Sequence, residues 1–557
     1  MINRSLTTRR ATIAGLCVSL LLILTFAASR SLIEGRTQKA ATASAPARER
    51  KADEKNSPSP ATKPAARAVQ DSSIDTELAG EINRLIDESE FAHARWGVFV
   101  TSMRDGRVLY SRNGDRAFTP ASNMKIYTTA VALDLLGADY RWRTSVYANA
   151  QPDGHGTLAG DLVLYGRGAP DLSSRVKKET PASLVQLADE LYRRGVRRVR
   201  GDVVGDESYF QGEALGDGWL WNDVQWYFGA EVSALSVNDN EVEIKIAPAG
   251  KTGAQPDVKF DLPTDYLRIK NDMSTVERGK PLTVGITRGL SDNEVRVWGD
   301  FPAGGQGFSA RLSVHHPALW AASLFRDALR ARGIEVEGEA RSRDSRSHHD
   351  DDKSAAIQNS LELASFTSRT LGQVVHATNK ESINLNAELI LRTLGKERGS
   401  MAPDANPKRM LTRGDDEAGL AVVLMWLNRA GIRTDELALH DGSGLSRLDL
   451  VTPESSARLL AAIARTPAAE VFRDSLPIAG RDGTLKNRMR AANVAGRVMA
   501  KTGTLSYINS LSGYAMTADN EPLVFSIMCN DETEKASSTG IIDEIVATLT
   551  SRRNTKP

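Results

Sequence analysis

FTPASNMKIYTTAVALDLLG, residues 118–137, reads as a helix with Ile126, Ala130, Leu133 and Leu136 on one face and Gly137 closing it. Ser122 and Lys125 stand three apart at its start, where residues i and i+3 share a face, so the lysine can reach the serine oxygen. A serine hydroxyl is a weak nucleophile until a neighbouring base takes its proton. A partly buried lysine near another cation is neutral enough to serve as that base. Helix N-terminal N–H groups also favour negative charge developing nearby.

Upstream, ELAGEINRLIDESEFA places Leu78, Ile82 and Leu85 at helical spacing. WGVFVTSMRDGRVLYSRNGD then reads as strand, Asp105-Gly106 turn, strand. Downstream, from Ser145 to Arg341, short β-type segments such as LVLYG, VRGDVVGD and VEIKIAPAG predict a β-rich insertion with one clear helix, HPALWAASLFRDALRARG. The polar run Arg341–Lys353 reads as a surface loop, and its paired histidines with Asp350–Asp352 have no scaffold that would make them a metal site. Helical patterning returns in LGQVVHATNKESINLNAELILRTLG, DEAGLAVVLMWLNRAG and TPESSARLLAAIAR. RVMAKTGTLSYINSLSGYAMT and PLVFSIMCND are β-type, and SSTGIIDEIVATLTSR closes the chain with a helix. A helix cluster on an antiparallel sheet drawn from both ends of the chain is an α+β fold.

Short motifs need context, because composition alone predicts on the order of two serine-x-x-lysine matches in a chain this long. Ser174–Lys177 is a second match, but it lies in the charged, proline-bounded stretch PDLSSRVKKETP. Lys251-Thr252-Gly253 duplicates Lys501-Thr502-Gly503, yet it sits in a Gly/Pro loop, whereas Lys501 leads into an antiparallel pair. An edge strand there can bind an extended peptide and present Lys501 to an anion. Ser382-Ile383-Asn384 lies between two helical runs, a turn that can aim both side chains into a cleft. Its competitors at Ser236 and Ser291 sit in the β-rich region, where loop hydrogen bonding is the simpler role.

Taken in order, SNMK, SIN and KTGT resemble the motif set of penicillin-binding proteins and serine β-lactamases. Ser382 follows Ser122 by 260 residues and Lys501 follows Ser382 by 119. That spacing is similar to the low-molecular-mass class C penicillin-binding proteins of peptidase family S13, D-alanyl-D-alanine carboxypeptidases with endopeptidase activity. GDVVGDESYF, WNDVQWYFGAEVSALSVNDN, HDGSGLSRLDLVTP and LPIAGRDGTLKNR carry the likeness from Thr76 to the end.

The resemblance implies a transpeptidase-like catalytic domain over 76–146 and 356–557, an inserted domain over 147–240 and 313–342, a nested β-rich domain over 241–312, and a polar loop over 343–355. It implies that Ser122 attacks the carbonyl between two D-alanines and that Lys125 is its base. Ser382 would relay a proton to the leaving nitrogen, and Asn384 would hold the peptide carbonyl and orient Lys125. Lys501 would supply positive potential that helps keep Lys125 deprotonated, and Thr502 would bind the terminal carboxylate, with Gly503 completing the motif. Backbone N–H groups of Ser122 and Thr504 would form the oxyanion hole. Asp206 is either a contact for the amine of the stem-peptide diamino acid or a turn carboxylate. Arg447 is either a partner for a substrate carboxylate or half of a structural ion pair. No stretch matches the glutamate loop of class A β-lactamases, which implies that β-lactams acylate and inhibit the enzyme. The alternatives are a β-lactam hydrolase or other esterase on the same motifs, and a non-catalytic cell-wall-binding scaffold.

The remaining features bound this reading. At 557 residues the chain is long enough for two to four folded units. Lys+Arg at 71 against Asp+Glu at 70 leaves no basic footprint for nucleic acid. Two cysteines, Cys17 and Cys529, supply neither a disulfide framework nor a thiolate metal site, and Cys529 reads as a small buried hydrophobe. No cofactor is expected. Arg4, Arg9 and Arg10 precede the apolar run Ala11–Ser29, which is an export segment, either a cleaved signal peptide (1–29) or a membrane anchor. Residues 30–75, rich in Ala, Pro and charges, read as a linker. An exported protein, periplasmic or on the outer face of the cytoplasmic membrane, meets stem peptides ending in D-Ala-D-Ala.

Overall fold

In the computed structural model, residues 75–173, 180–346, 360–404, 413–533 and 537–553 are described. The expected export segment, the expected linker before Asp75, the Ser174–Lys177 match and the His348–Asp352 run lie outside these residues. Among the described residues no helix is long and apolar enough to cross a membrane.

Strands Arg95–Ser102 and Val108–Arg112 form the hairpin expected around Asp105-Gly106. The first of them pairs antiparallel with Pro522–Asn530, Val100 opposite Phe525, so the two ends of the chain share one sheet. Ile508–Met516 and Val498–Leu505 complete it, and Val498–Leu505 is an edge. Side chains alternate across a strand. Val98 and Val100 therefore meet Ile82, Ile86, Ile545 and Leu549 of the terminal helices Thr76–Asp87 and Thr539–Ser551. Phe99 faces the opposite core with Phe118, Met124 and Leu460. At about 1.5–3 kcal/mol per fully buried large aliphatic side chain, both layers hold the edge strand in place. The molecule is an α+β fold with a helix cluster on this antiparallel sheet.

Helix Met124–Leu136 is buried on every side from Met124 to Leu133, which departs from the single apolar face expected of it. Its polar positions are matched by partners. Tyr127 Oη lies 2.8 Å from both Ser455 Oγ and Ser456 Oγ, and Thr128 Oγ1 donates to the Gly442 carbonyl at 2.8 Å. Leu136, assigned to the buried face, is only half-buried because the helix emerges there.

Between the first two motifs the chain builds a second five-stranded sheet, ordered Ala340–Arg343, Val203–Asp206, Leu162–Tyr165, Arg143–Ala148 and Leu361–Thr367. The first three run parallel, and parallel neighbours need a crossover. Helix Ala182–Arg193 is one such crossover and Pro317–Arg332 lies on the other. The expectation of one helix here is thus corrected to two. Leu184, Leu187, Ala188 and Leu191 carried a helical period that the surrounding β-type segments obscured. The loop read from Arg341 onward is corrected too, since Ala340–Arg343 is a strand whose arginines pair with acidic neighbours such as Asp202, 3.0 Å from Arg341 Nε. Two three-stranded sheets lie within 241–313, one of them pairing Arg268–Val276 in parallel with Glu294–Pro302.

Candidate active site

A short 3-10 turn, Ala121–Asn123, leads into the helix that begins at Met124, and Ala121 sits at φ 49°. A left-handed alanine is strained, and it turns the chain sharply just before Ser122. The turn is pinned from outside, because a Cβ on Gly444 would lie 1.8 Å from the Ala121 carbonyl oxygen. Ser122 is half-buried, and Lys125 one turn on is completely buried.

Lys125 Nζ has three neighbours: Ser122 Oγ at 2.9 Å, Asn384 Oδ1 at 2.6 Å and the Ser443 carbonyl at 2.8 Å. The last two can only accept. Asn384 Nδ2 donates to the Phe228 carbonyl at 2.8 Å, which fixes its amide with Oδ1 toward the lysine. A neutral amine has two N–H bonds and one lone pair. In the neutral form both N–H bonds go to these acceptors and the lone pair is left for the serine hydroxyl. Burial pulls Lys125 down to about 8, against the opposing pull of Asp441 and Glu388. The chief cause is loss of water rather than the cationic neighbour that the sequence suggested.

Ser382 ends helix Leu371–Glu381 in a left-handed conformation, φ 58°, and helix Asn384–Arg398 starts two residues later. That break brings Ser382 and Asn384 to the same cleft. Ser382 Oγ accepts from Lys501 Nζ at 2.9 Å, and the lysine also donates to the Thr502 carbonyl at 2.9 Å. Lys501 is fully buried and held well below the usual lysine range, first by desolvation and then by the like charge of Lys125. Gly503 lets its strand press on the Ser122 turn, since a Cβ there would meet Ser510 Oγ at 2.2 Å and the Pro120 carbonyl at 2.6 Å. Asn123 Nδ2 seals the contact, donating to Ser510 Oγ at 2.6 Å and to the Lys501 carbonyl at 3.2 Å. Thr502 Oγ1 lies 2.8 Å from Thr484 Oγ1, and Thr504 is exposed at the end of the strand.

The three motifs therefore converge through the contacts Ser122–Lys125–Asn384 and Ser382–Lys501. A serine oxygen flanked by an oriented amine, with a second lysine and a second hydroxyl beside it, is an arrangement suited to acyl transfer. Among the described residues, the duplicate motifs stay outside. Lys251 to Gly253 are exposed in a loop, and Ser236 Oγ donates to the Ser233 carbonyl at 2.8 Å. Asn293 is tied to the backbone of His315.

Asp206 is fully buried at the end of its strand, with Arg343 Nε 3.0 Å from its Oδ2 and the Ser208 N–H on its Oδ1 at 2.9 Å. Arg447 donates from Nη1 to the Ser506 carbonyl at 3.1 Å, next to the Lys501 strand. The sequence pointed only to Arg447 in the loop His440–Asp449 and to Ser236 in the segment Trp221–Asn240. It assigned no role to Ser443, Asp441, Glu388 or Phe228. The glycines in HDGSGLS were the available signal for a close backbone approach.

The profile of a family described as "D-Ala-D-Ala carboxypeptidase 3 (S13) family" matches residues 78–552. A D-alanyl-D-alanine carboxypeptidase of Actinomadura sp. (strain R39) is 35% identical over 472 residues, covering 83% of this chain and 82% of the relative. D-alanyl-D-alanine carboxypeptidase DacB of Haemophilus influenzae is 25% identical over 437 residues, 77% of this chain and 84% of the relative. The crystal structure of penicillin binding protein 4 from Haemophilus influenzae superposes with a TM-score of 0.70 at 23% identity, over 84% of this chain and 98% of that one, and is similar in fold.

Proposed function

The chain belongs to the D-Ala-D-Ala carboxypeptidase 3 (S13) family, and we propose that it is a serine-type D-Ala-D-Ala carboxypeptidase working through Ser122, with D,D-endopeptidase action on the same site. The observation that carries the reading is the contact of Lys125 Nζ with Ser122 Oγ at 2.9 Å while two pure acceptors occupy its other directions. Lys125 takes the hydroxyl proton as Ser122 Oγ attacks the carbonyl between two D-alanines. Backbone N–H groups of Ser122 and Thr504 receive the oxyanion, and each such donor lowers the barrier by about 3 kcal/mol. Collapse expels the D-alanine amine, which takes its proton through Ser382, and water then hydrolyses the ester and restores Ser122 and Lys125. Lys501 and Thr502 hold the terminal carboxylate, Gly503 keeps the strand close, and Asn384 binds a peptide carbonyl. Arg447 extends the site toward the stem peptide, whereas Asp206, fully buried and paired with Arg343, acts as a structural carboxylate.

A β-lactam presents a strained amide to the same serine, and its ester persists because no glutamate-activated water is provided. Residues 1–29 export the protein to the outer side of the cytoplasmic membrane, as a cleaved signal or as an anchor, and 30–75 tether the folded part. The tests are direct. Ser122→Ala abolishes covalent labelling by a fluorescent penicillin, and retained labelling would overturn the assignment. Rapid release of the bound label would instead make the protein a β-lactam hydrolase. Mass spectrometry of purified muropeptides detects loss of one D-alanine for carboxypeptidase action, and cleavage of cross-linked dimers for endopeptidase action.

A further inference from the structure

The two acceptors that aim Lys125 are themselves held from a distant part of the chain. The Ser443 carbonyl belongs to a loop folded around one carboxylate, that of Asp441. Its Oδ1 accepts from the N–H groups of Ser443 at 3.1 Å and Gly444 at 2.6 Å. Its Oδ2 accepts from the Ser446 N–H at 2.8 Å, from Ser443 Oγ at 3.2 Å and from Trp219 Nε1 at 2.8 Å. Four of these five donors are local. Trp219 arrives from the segment between the first two motifs, as does the Phe228 carbonyl that fixes Asn384.

That segment is built onto the Asp441 loop. Gly218, at φ 78°, lies where a Cβ would meet Ser446 Oγ at 2.5 Å and Leu448 Cγ at 2.7 Å. Arg447 N–H donates to the Gly218 carbonyl at 3.3 Å, and His440 Nδ1 lies 2.8 Å from Asp217 Oδ2. Asp441 is 1% exposed, too dry for water to replace a lost donor at low cost.

We propose that Asp441 is a positioning residue for Lys125, and that Trp219 and the Phe228 carbonyl complete the device by holding Asp441 and Asn384 in place. The proposal rests on the reading of Lys125 as the base for Ser122. If the Ser443 carbonyl turns away, one N–H of the neutral amine loses its acceptor, and the lone pair swings off the serine hydroxyl. The part of the chain between the first two motifs is then a component of the base's geometry, so its loss would slow the chemical step itself.

The charged groups around Lys125 set the pH readout. Asp441 and Glu388 favour its ammonium form, and on the strand side Lys501 is itself held well below the usual lysine range by burial and then by Lys125. Asp449 stands behind Asp441, and Arg392 lies beside Glu388. Removing the Asp441 charge therefore lets Lys125 lose its proton at lower pH.

The test uses the full chain and the second-order rate constant for acylation by a fluorescent penicillin, measured across pH and normalised to the sites that label at completion. Trp219→Phe keeps the ring and removes only the N–H, and it is expected to slow acylation about tenfold. Asp441→Asn is expected to slow it about a hundredfold, as a small misplacement of a reacting group does, and to move the acid limb of the profile to lower pH. The double variant is expected to be no slower than Asp441→Asn, because the Trp219 N–H acts through that carboxylate. A purely structural role would reduce the number of labelling sites and leave the rate per site and the acid limb unmoved. That result, with Lys125→Met inactive, sinks this proposal and spares the base assignment. Wild-type acylation by Lys125→Met would sink both. If Asp441→Asn does not fold, the rate per site of Trp219→Phe decides alone.

Discussion

Glu521 and Lys125 are both fully buried charged side chains, in surroundings of opposite kinds. Around Glu521 the charges are matched. Arg107 Nη2 meets its Oε1 at 2.6 Å, Arg552 Nη1 meets its Oε2 at 3.1 Å, and Ser102 Oγ donates to Oε1 at 2.6 Å. Arg552 also pairs with Asp75 at 2.7 Å, so the hub ties the first described residue to the last helix. Around Lys125 the direct partners are a hydroxyl, an amide oxygen and a carbonyl, none of them charged. Desolvating a charge costs several kcal/mol unless an opposite charge compensates. In the first region the protein supplies that compensation and gains a rigid joint. In the second it withholds a direct counter-ion, and the outcome is an amine that releases its proton near neutral pH. A buried charge that its neighbours do not cancel is what sets the proposed active site apart from the joint.

The contrast can be broken by four experiments. Lys125→Met should lower the acylation rate by about 10²–10⁴, the contribution of a positioned base. Thermal unfolding should show stability held or raised, since an apolar side chain of similar length replaces a desolvated amine. Glu521→Ala should do the reverse, removing about 1–3 kcal/mol from chemical unfolding by taking the shared carboxylate from two arginines that keep Asp105 and Asp75, while leaving acylation per folded molecule within about twofold. A large rate loss in Glu521→Ala would end the distinction between the two regions.

The third experiment follows stability against pH. Lys125 titrates at about 8 when folded and near 10.5 when unfolded, so between those values the unfolded chain holds the extra proton. Stability should therefore rise with pH across that window, by about 3 kcal/mol in all for this one group, and the gain should vanish as pH falls through 8. In Lys125→Met that rise should flatten. The smallest effect is expected for Gly503→Ala, whose methyl group collides with Ser510 Oγ and the Pro120 carbonyl. A loss of about 1–3 kcal/mol and a modest fall in acylation are expected, read by unfolding and penicillin labelling on one preparation.

How far the sequence reached differs from element to element. The hairpin at Asp105-Gly106, the terminal strands and the helices bracketing Ser382 were legible because each has a local period and a turn signal. Helix Ala182–Arg193 escaped notice among β-type neighbours, and Ala340–Arg343 looked like loop because its arginines are polar. A strand whose charges are matched across a ladder does not betray itself by alternation. The buried lysines were nominated by motif, but nothing local to SNMK or KTGT says that both lysines would be completely dry.

Residue order alone, through spacing and the likeness it reveals, thus yields an α+β fold and three motifs that belong together, because helix periods, turn residues and short motifs are encoded over a few positions. The depth at which Lys125 is buried, the acceptors that orient it and the role of Asp441 depend on residues hundreds of positions apart. Only folding brings these to within 3 Å of one another or of Lys125. Desolvation and hydrogen-bond direction are properties of that assembled environment, and they, rather than the identity of the lysine, set its hold on the proton.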